Sequence, residues 1–289
     1  MKYDKPKIAL YNYNAFNITN ALSGFKRYDK YKAIGNEKKV INELDSIKSK
    51  LEENGFEIIY SSSRWPRDIY VHDGKNLIPN YDPHIFGEGG KVIQGKDFVL
   101  LSSSIKNNLQ SKDKIKYFEG KKIYFIEPMK INNKFISSNM HIDLSIGSIP
   151  YIDVLTVDSS HYEQQKSLFD RINKNHGTTV IPINIDKNKK KLFHNNYLVV
   201  NDFVLTDPNA EYLNSVLDQF NIDLQHIDVN MEGNPKNDGS IRCLTNIVED
   251  EETENFLKDY EEVLKLATKV YMASGAKPNL AHLMKTVKK

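Results

Sequence analysis

Four times along this chain of 289 residues, two strand-like runs face each other across a short turn, and that repetition constrains the fold more than any other feature. Ile69-Tyr70-Val71 meets Leu77-Ile78 across Asp73-Gly74, and Lys91-Val92-Ile93 meets Phe98 to Leu101 across Gly95-Lys96-Asp97. Ile142 to Ile146 meets Ile152 to Val157 across Gly147, and Tyr197 to Val200 meets Phe203 to Leu205 across Asn201-Asp202. Ile241 to Val248 is a further strand-rich run, and Ile8 to Tyr11 is strand-like near the start. Pairs of this kind read as β-hairpins.

Helix-period segments lie between them. Val40, Leu44, Ile47 and Leu51 recur at spacings of three and four before Gly55, and Leu213, Val216, Leu217 and Phe220 repeat the pattern after Pro208-Asn209. Phe256, Tyr260, Val263, Ala267 and Val270 predict a long late helix ending near Gly275, and a weaker helix covers about Tyr162 to Asn175, ending at Gly177. Helices interspersed with hairpins give an α/β chain and not a sandwich. No shift in composition marks a boundary, so residues 1–289 read as one domain.

A polar residue stands at or next to the start of each strand pair: Asp68, Glu88, His141 with Asp143, Asn196 and Cys243. From Glu88 onward the intervals are 53, 55 and 47 residues; Asp68 to Glu88 is 20. If each hairpin is a rough copy of one unit set around an axis, these residues converge at one end of that axis.

Bulk properties narrow the function classes. A net charge of +2 is too small to imply a nucleic-acid partner. No run of about 18 apolar residues is available to span a bilayer, and Met1 to Lys7 leads straight into a strand without a signal-peptide pattern. A single cysteine excludes a disulfide scaffold and fits a reducing compartment, so the expectation is a soluble cytoplasmic protein. Lys187-Asn188-Lys189-Lys190-Lys191 reads as a solvated loop. The histidines are scattered, so neither a metal nor another cofactor is expected. Oligomeric state is left open, a homo-oligomer included.

The lone Cys243 has two uses, inert packing or thiolate chemistry. Its small and polar neighbours Gly239, Ser240 and Thr245 suit an approachable backbone. His141-x-Asp143, if strand, puts both side chains on one face. A cysteine, a histidine and several carboxylates are the parts needed to attack a cationic carbon. A guanidinium carbon calls for a soft, partly ionised nucleophile, which suits a thiolate of lowered pKa. Carboxylates hold the planar cation in bidentate geometry, and a histidine serves both proton transfers near neutral pH. Each residue alone has a plainer reading: Cys243 as a core hydrophobe, Arg67-Asp68 as a surface pair, Glu88 as part of a turn, Asn196 as loop.

The ordered set Trp65-Pro66-Arg67-Asp68, Glu88-Gly89-Gly90, His141-x-Asp143 and Gly239-x-x-x-Cys243-x-Thr245 resembles the guanidino-group-modifying enzyme superfamily. That superfamily includes agmatine and arginine deiminases, peptidylarginine deiminases, dimethylargininase and the amidinotransferases. The matches run from Asp68 to Cys243, 176 positions, and leave the first 67 and the last 46 residues without a motif. The resemblance implies a pentein-type α/β propeller of five pseudo-symmetric ββαβ units with the site at the centre. It implies Cys243 as nucleophile, His141 as general acid and then base, and Asp68 and Asp143 on the guanidinium nitrogens. Glu88 would orient His141 or touch the substrate, and Trp65 and Asn196 would belong to the substrate site.

Trp65 to Asp68 and Ile241 to Thr245 look most like the agmatine deiminase branch, yet that branch usually has His before the nucleophile where this chain has Arg242. A cation there favours a carboxylate-bearing substrate such as arginine; alternatively Arg242 points away from Cys243, as neighbours on a strand do. A chain shorter than the agmatine branch implies a more open site that would admit peptidyl arginine. The implied activity is hydrolytic deimination of arginine, agmatine or peptidyl arginine. Amidine transfer by the same residues and a noncatalytic binding protein on the same fold are the alternatives.

Overall fold

Short apolar runs buried along their length make the central strands here, and three-to-four-spaced apolar residues make the helices that cover them. In the computed structural model the described residues are 6–11, 37–61, 66–72, 77–79, 89–105, 118, 120–135, 141–184, 195–207, 211–230, 240–275 and 279–287. Strand β1 (Lys7–Tyr11) is followed by helix α1 (Glu37–Glu53) and β2 (Glu57–Ser61). A 3-10 turn at Pro66–Asp68 leads into β3 (Tyr70–His72) and β4 (Leu77–Pro79), and a second at Gly89–Lys91 leads into β5 (Val92–Gln94) and β6 (Phe98–Ser102). Next come β7 (Lys122–Ile126), the small ribbon β8 (Lys130–Ile131) and β9 (Lys134–Phe135), then β10 (Ile146–Ile149) and β11 (Val154–Asp158). Helices α2 (Ser159–Gln164) and α3 (Lys166–His176) precede β12 (Thr179–Ile183), β13 (Leu198–Val200) and β14 (Phe203–Thr206). The chain finishes with α4 (Glu211–Gln219), β15 (Gln225–Asp228), the single turn α5 (Ile241–Leu244), β16 (Thr245–Val248), α6 (Glu251–Ser274) and α7 (Leu280–Val287).

Four small sheets repeat one topology. In each of β5-β6-β7, β10-β11-β12 and β13-β14-β15, an antiparallel hairpin is extended by a parallel third strand. The fourth copy joins the two ends of the chain: β16 pairs antiparallel with β1, and β1 pairs parallel with β2. A parallel pair needs a crossover, and α1, α2 with α3, and α4 supply it in three of the four. β3 and β4 form a fifth, two-stranded antiparallel unit. Among the described residues the sheets do not join into one closed sheet.

The helices bury the stripes read in the sequence. Leu44, Ile47 and Leu51 of α1 pack with Ile8, Leu10 and Leu205, and Leu168, Phe169 and Ile172 of α3 pack with Leu100, Ile126 and Leu155. Leu213, Val216 and Leu217 of α4 cover Val204 and Ile183, and Phe256 and Val263 of α6 cover Ala9 and Val248. Each fully buried aliphatic side chain contributes about 1.5–3 kcal/mol, so these stripes fix where the strand ends point.

Three expectations shift. The turn after β10 lies at Pro150–Ile152, closed by Asp153 in the left-handed region (φ 54°), and not at Gly147, which is inside the strand. Pro150 cannot donate to a ladder, so it ends the strand that Gly147 continues. The helix expected over Tyr162 to Asn175 is two helices, divided at Gln165. Ile241 to Leu244 is a helical turn and not strand; only Thr245 onward pairs with β1. The Lys187–Lys191 run lies outside the described residues. No helix among the described residues is long and apolar enough to cross a membrane.

Candidate active site

The segments just before β3, β5, β10, β13 and β16 come together, and they carry Asp68, Gly89-Gly90, His141 with Asp143, Asn195-Asn196 and Cys243. Gly90 holds two of them, Asp68 and Asp143, through its backbone. Its N–H donates to Asp68 Oδ1 at 3.1 Å, and its carbonyl accepts from the N–H groups of Ile142 (2.9 Å) and Asp143 (3.2 Å). A Cβ at Gly90 would lie 2.5 Å from His141 Nδ1 and 2.8 Å from its Cγ, so the imidazole rests on bare backbone. A Cβ at Gly89 would overlap the carbonyl of Arg67. The two glycines are there because nothing larger fits between the Asp68 turn and the His141 ring.

His141 to Ser145 is a turn, not the strand from which a shared face for His141 and Asp143 was expected. Ser145 N–H and Ile146 N–H both return to the carbonyl of Ile142 (3.1 and 3.0 Å). His141 and Asp143 are both buried, and both carboxylate oxygens of Asp143 are buried without a hydrogen-bond partner among the described residues. A buried carboxylate left so is costly, and a planar cation with paired N–H donors matches it.

Asn196 joins this turn to the cysteine. Its Nδ2 donates to the carbonyl of Asp143 (3.3 Å), its Oδ1 accepts from Cys243 N–H (3.2 Å), and its own carbonyl accepts from Arg242 N–H (3.1 Å). Cys243 N–H also reaches the carbonyl of Ser240 (3.0 Å), and Thr245 Oγ1 closes the turn on the carbonyl of Ile241 (2.8 Å). Asn196, expected as a substrate contact, here bonds the backbone on either side.

Cys243 is buried. Burial first, then the negative charges of Asp143 and Asp68, push its thiol well above the ordinary value. The expectation of a lowered pKa therefore does not hold for the site on its own; the carboxylates that suit a cation oppose a second anion beside them.

Arg242, next to Cys243 in its turn, borders a neighbouring depression. With Arg67 it lines this depression, which includes Tyr151, Gln94 and Val199 but none of Cys243, His141, Asp68 and Asp143. Burial and the neighbouring Arg67 charge lower its pKa to about 10, while Asp143 attracts it. Trp65 and Glu88 lie outside the described residues.

Two residues that sequence reading missed support the turn. Asn195 Nδ2 donates to the carbonyl of Ser145 (3.1 Å) and its Oδ1 accepts from Thr156 Oγ1 (2.9 Å). His161 lies 2.9 Å from Ser145 Oγ through Nδ1 and 2.7 Å from the carbonyl of Glu127 through Nε2. The Asn195-Asn196 doublet was a usable signal, whereas nothing local marks His161. Among the described residues no group of three histidine, cysteine or carboxylate side chains is placed to hold a metal.

Neither a protein-family description nor a curated protein sequence matches the chain. Solved structures do. The N-terminal domain of ArgZ, an arginine dihydrolase of cyanobacteria solved with its product, is 10% identical, with a TM-score of 0.59 over 86% of this chain and 98% of that one. SxtG, an amidinotransferase from Microseira wollei in the saxitoxin pathway, is 12% identical with a TM-score of 0.53, covering 73% and 80%. A Cys-to-Ser variant of DDAH from Pseudomonas aeruginosa, complexed with citrulline, is 12% identical with a TM-score of 0.50, covering 72% and 88%. The chain therefore shares the pentein α/β fold of these proteins.

Proposed function

We propose that this protein is a hydrolytic deiminase that converts a guanidinium substrate (arginine, agmatine or peptidyl arginine) to a ureido product and ammonia. The observation that carries the reading is the Asp143 carboxylate, buried with both oxygens unpartnered among the described residues, in the same group of turns as the buried Cys243 thiol. Five sheets whose first strands each begin at one of these turns support an arrangement of five units around one axis. The neighbours on this fold are named for an arginine dihydrolase, an amidinotransferase and a DDAH variant holding citrulline, a ureido compound, which supports chemistry at a guanidinium carbon.

In this mechanism the substrate cation lies between Asp68 and Asp143 and offsets the carboxylate charge that, together with burial, holds the Cys243 thiol protonated. The thiol gives its proton to His141, and the thiolate adds to the guanidinium carbon. His141 gives a proton to the departing nitrogen, and ammonia leaves as the C–N bond breaks, so a thiouronium remains on Sγ. His141 then takes a proton from water, whose oxygen attacks the same carbon. The C–S bond breaks, and the ureido product leaves with the thiolate restored. Asn196 and Gly90 act through the groups they hold. Amidine transfer would use the same first half, with an amine replacing water.

The test is ammonia and ureido-product formation from arginine, agmatine, dimethylarginine and an arginine-containing peptide, with Cys243→Ala as control and an added amine acceptor in a parallel set. Turnover of one member, lost in the variant, supports the reading and names the substrate class. Transfer to the amine without ammonia release replaces it with amidinotransfer, and silence across the panel removes the deiminase assignment for these substrates.

A further inference from the structure

The strands that begin at the candidate active site have a second end. β3, β5, β10, β13 and β16 run away from it to His72, Gln94, Ser148, Val200 and Ile247, all of which line one depression of ≈ 580 Å³. Sites for small organic ligands are of this size. The lining holds four basic side chains other than histidine, Arg67, Arg242, Lys96 and Lys121, against two acids, Asp202 and Glu249.

Several of these charges are already answered. Lys96 Nζ is 3.6 Å from Asp153, Lys121 Nζ donates to Gln94 Oε1 at 3.2 Å, and Glu249 lies 2.9 Å from His72 Nδ1. The two guanidiniums are not. Among the described residues buried Arg67 donates one bond, from Nη2 to the carbonyl of Val92 (2.8 Å), and its Nε has no partner. Half-buried Arg242 makes no side-chain hydrogen bond or ion pair among the described residues, and burial together with Arg67 lowers its pKa to about 10. Two like charges held close with donors unused make a pair that an oxyanion completes, because a guanidinium offers paired N–H groups to two oxygens at once. Tyr151, 51% exposed, and Val199 stand in the same lining as an apolar wall.

We propose that this depression is a binding site for a small organic oxyanion, a carboxylate or phosphate ester, whose anionic group sits on Arg242 and Arg67 and whose body lies against Tyr151 and Val199. Arg242 shares its turn with Cys243, but Cys243, His141, Asp68 and Asp143 do not line the depression, and its occupancy does not depend on turnover.

Isothermal titration calorimetry of the full chain at constant ionic strength tests it, with phenyl phosphate and phenylacetate as probes, inorganic phosphate and acetate for the anion alone, and benzyl alcohol as the neutral control. One saturable site is expected for phenyl phosphate or phenylacetate and none for benzyl alcohol; whichever binds tighter names the anion class. Arg242→Gln is expected to weaken binding about tenfold or more, the loss of a charged hydrogen bond. Tyr151→Ala, at an exposed position, tests the same site if Arg242→Gln fails to fold, and it should weaken the phenyl probes while leaving the inorganic ions unchanged. Asp143→Asn should not weaken binding. Absence of saturable anion binding in the wild-type protein overturns the proposal. So does binding indifferent to Tyr151→Ala and to a folded Arg242→Gln, or binding lost in Asp143→Asn, which would move the anion to the Cys243 site.

Discussion

The amide of Cys243 donates to the side-chain Oδ1 of Asn196, 47 positions earlier, at 3.2 Å, while Nδ2 of the same amide group donates to the carbonyl of Asp143. One buried side chain thus sets the distance between a thiol and a carboxylate. Asn196→Ala takes a donor from the Asp143 carbonyl and leaves Cys243 N–H with the Ser240 carbonyl alone, and should cost about 1–3 kcal/mol of stability, read by denaturant unfolding. Turnover should fall further than stability accounts for. Asn196→Asp keeps an acceptor for Cys243 N–H but turns an oxygen toward the Asp143 carbonyl and adds a negative charge beside the thiol, so it should not restore activity above Asn196→Ala.

Gly89 and Gly90 separate two kinds of damage. Gly90→Ala puts a methyl against the His141 ring, a side chain that can swing, so the protein should fold while losing most turnover. Gly89→Ala meets the backbone of Arg67, which cannot swing, and the loss should appear first as lower thermal stability. Comparing melting temperature with activity for the two variants checks the distinction.

The hairpins and helices were legible because burial writes pattern into sequence: Leu44, Ile47 and Leu51 are buried as a helix period requires, and Phe98 to Leu101 as an unbroken apolar run between turn residues. What pattern could not carry was the local geometry of the site. The segments holding His141, Asp143 and Cys243 are turns, whose shape comes from bonds to distant residues such as Gly90 and Asn196 and not from the alternation of their own side chains. His161 escaped notice for the same reason: its partners Ser145 and Glu127 are 16 and 34 positions away.

His161 gives the fold a pH dependence. It is fully buried, and burial lowers its pKa from 6.5 to about 4. Because the unfolded chain takes up the proton first, its contribution is complete above about 6.5 and is lost as pH falls from there to about 4. A shift of this size corresponds to about 3 kcal/mol. Urea titrations should show that loss over this window, and His161→Phe should flatten it.

Asp143→Asn should move the Cys243 thiol and the activity in opposite directions. Removing a negative charge beside the thiol lowers its pKa, so thiolate absorbance should appear at lower pH than in the wild type. Turnover should nevertheless fall, because the cation has lost a carboxylate. A thiol titration unchanged by Asp143→Asn would mean that the two groups do not interact.

The covalent role of Cys243 is tested most directly by intact-mass spectrometry of protein quenched during turnover of whichever guanidinium compound proves active. The account requires an adduct of the thiouronium mass on the Cys243 peptide, formed before product and absent in Cys243→Ala. Product release with no adduct at any time, or turnover by Cys243→Ala, would contradict it.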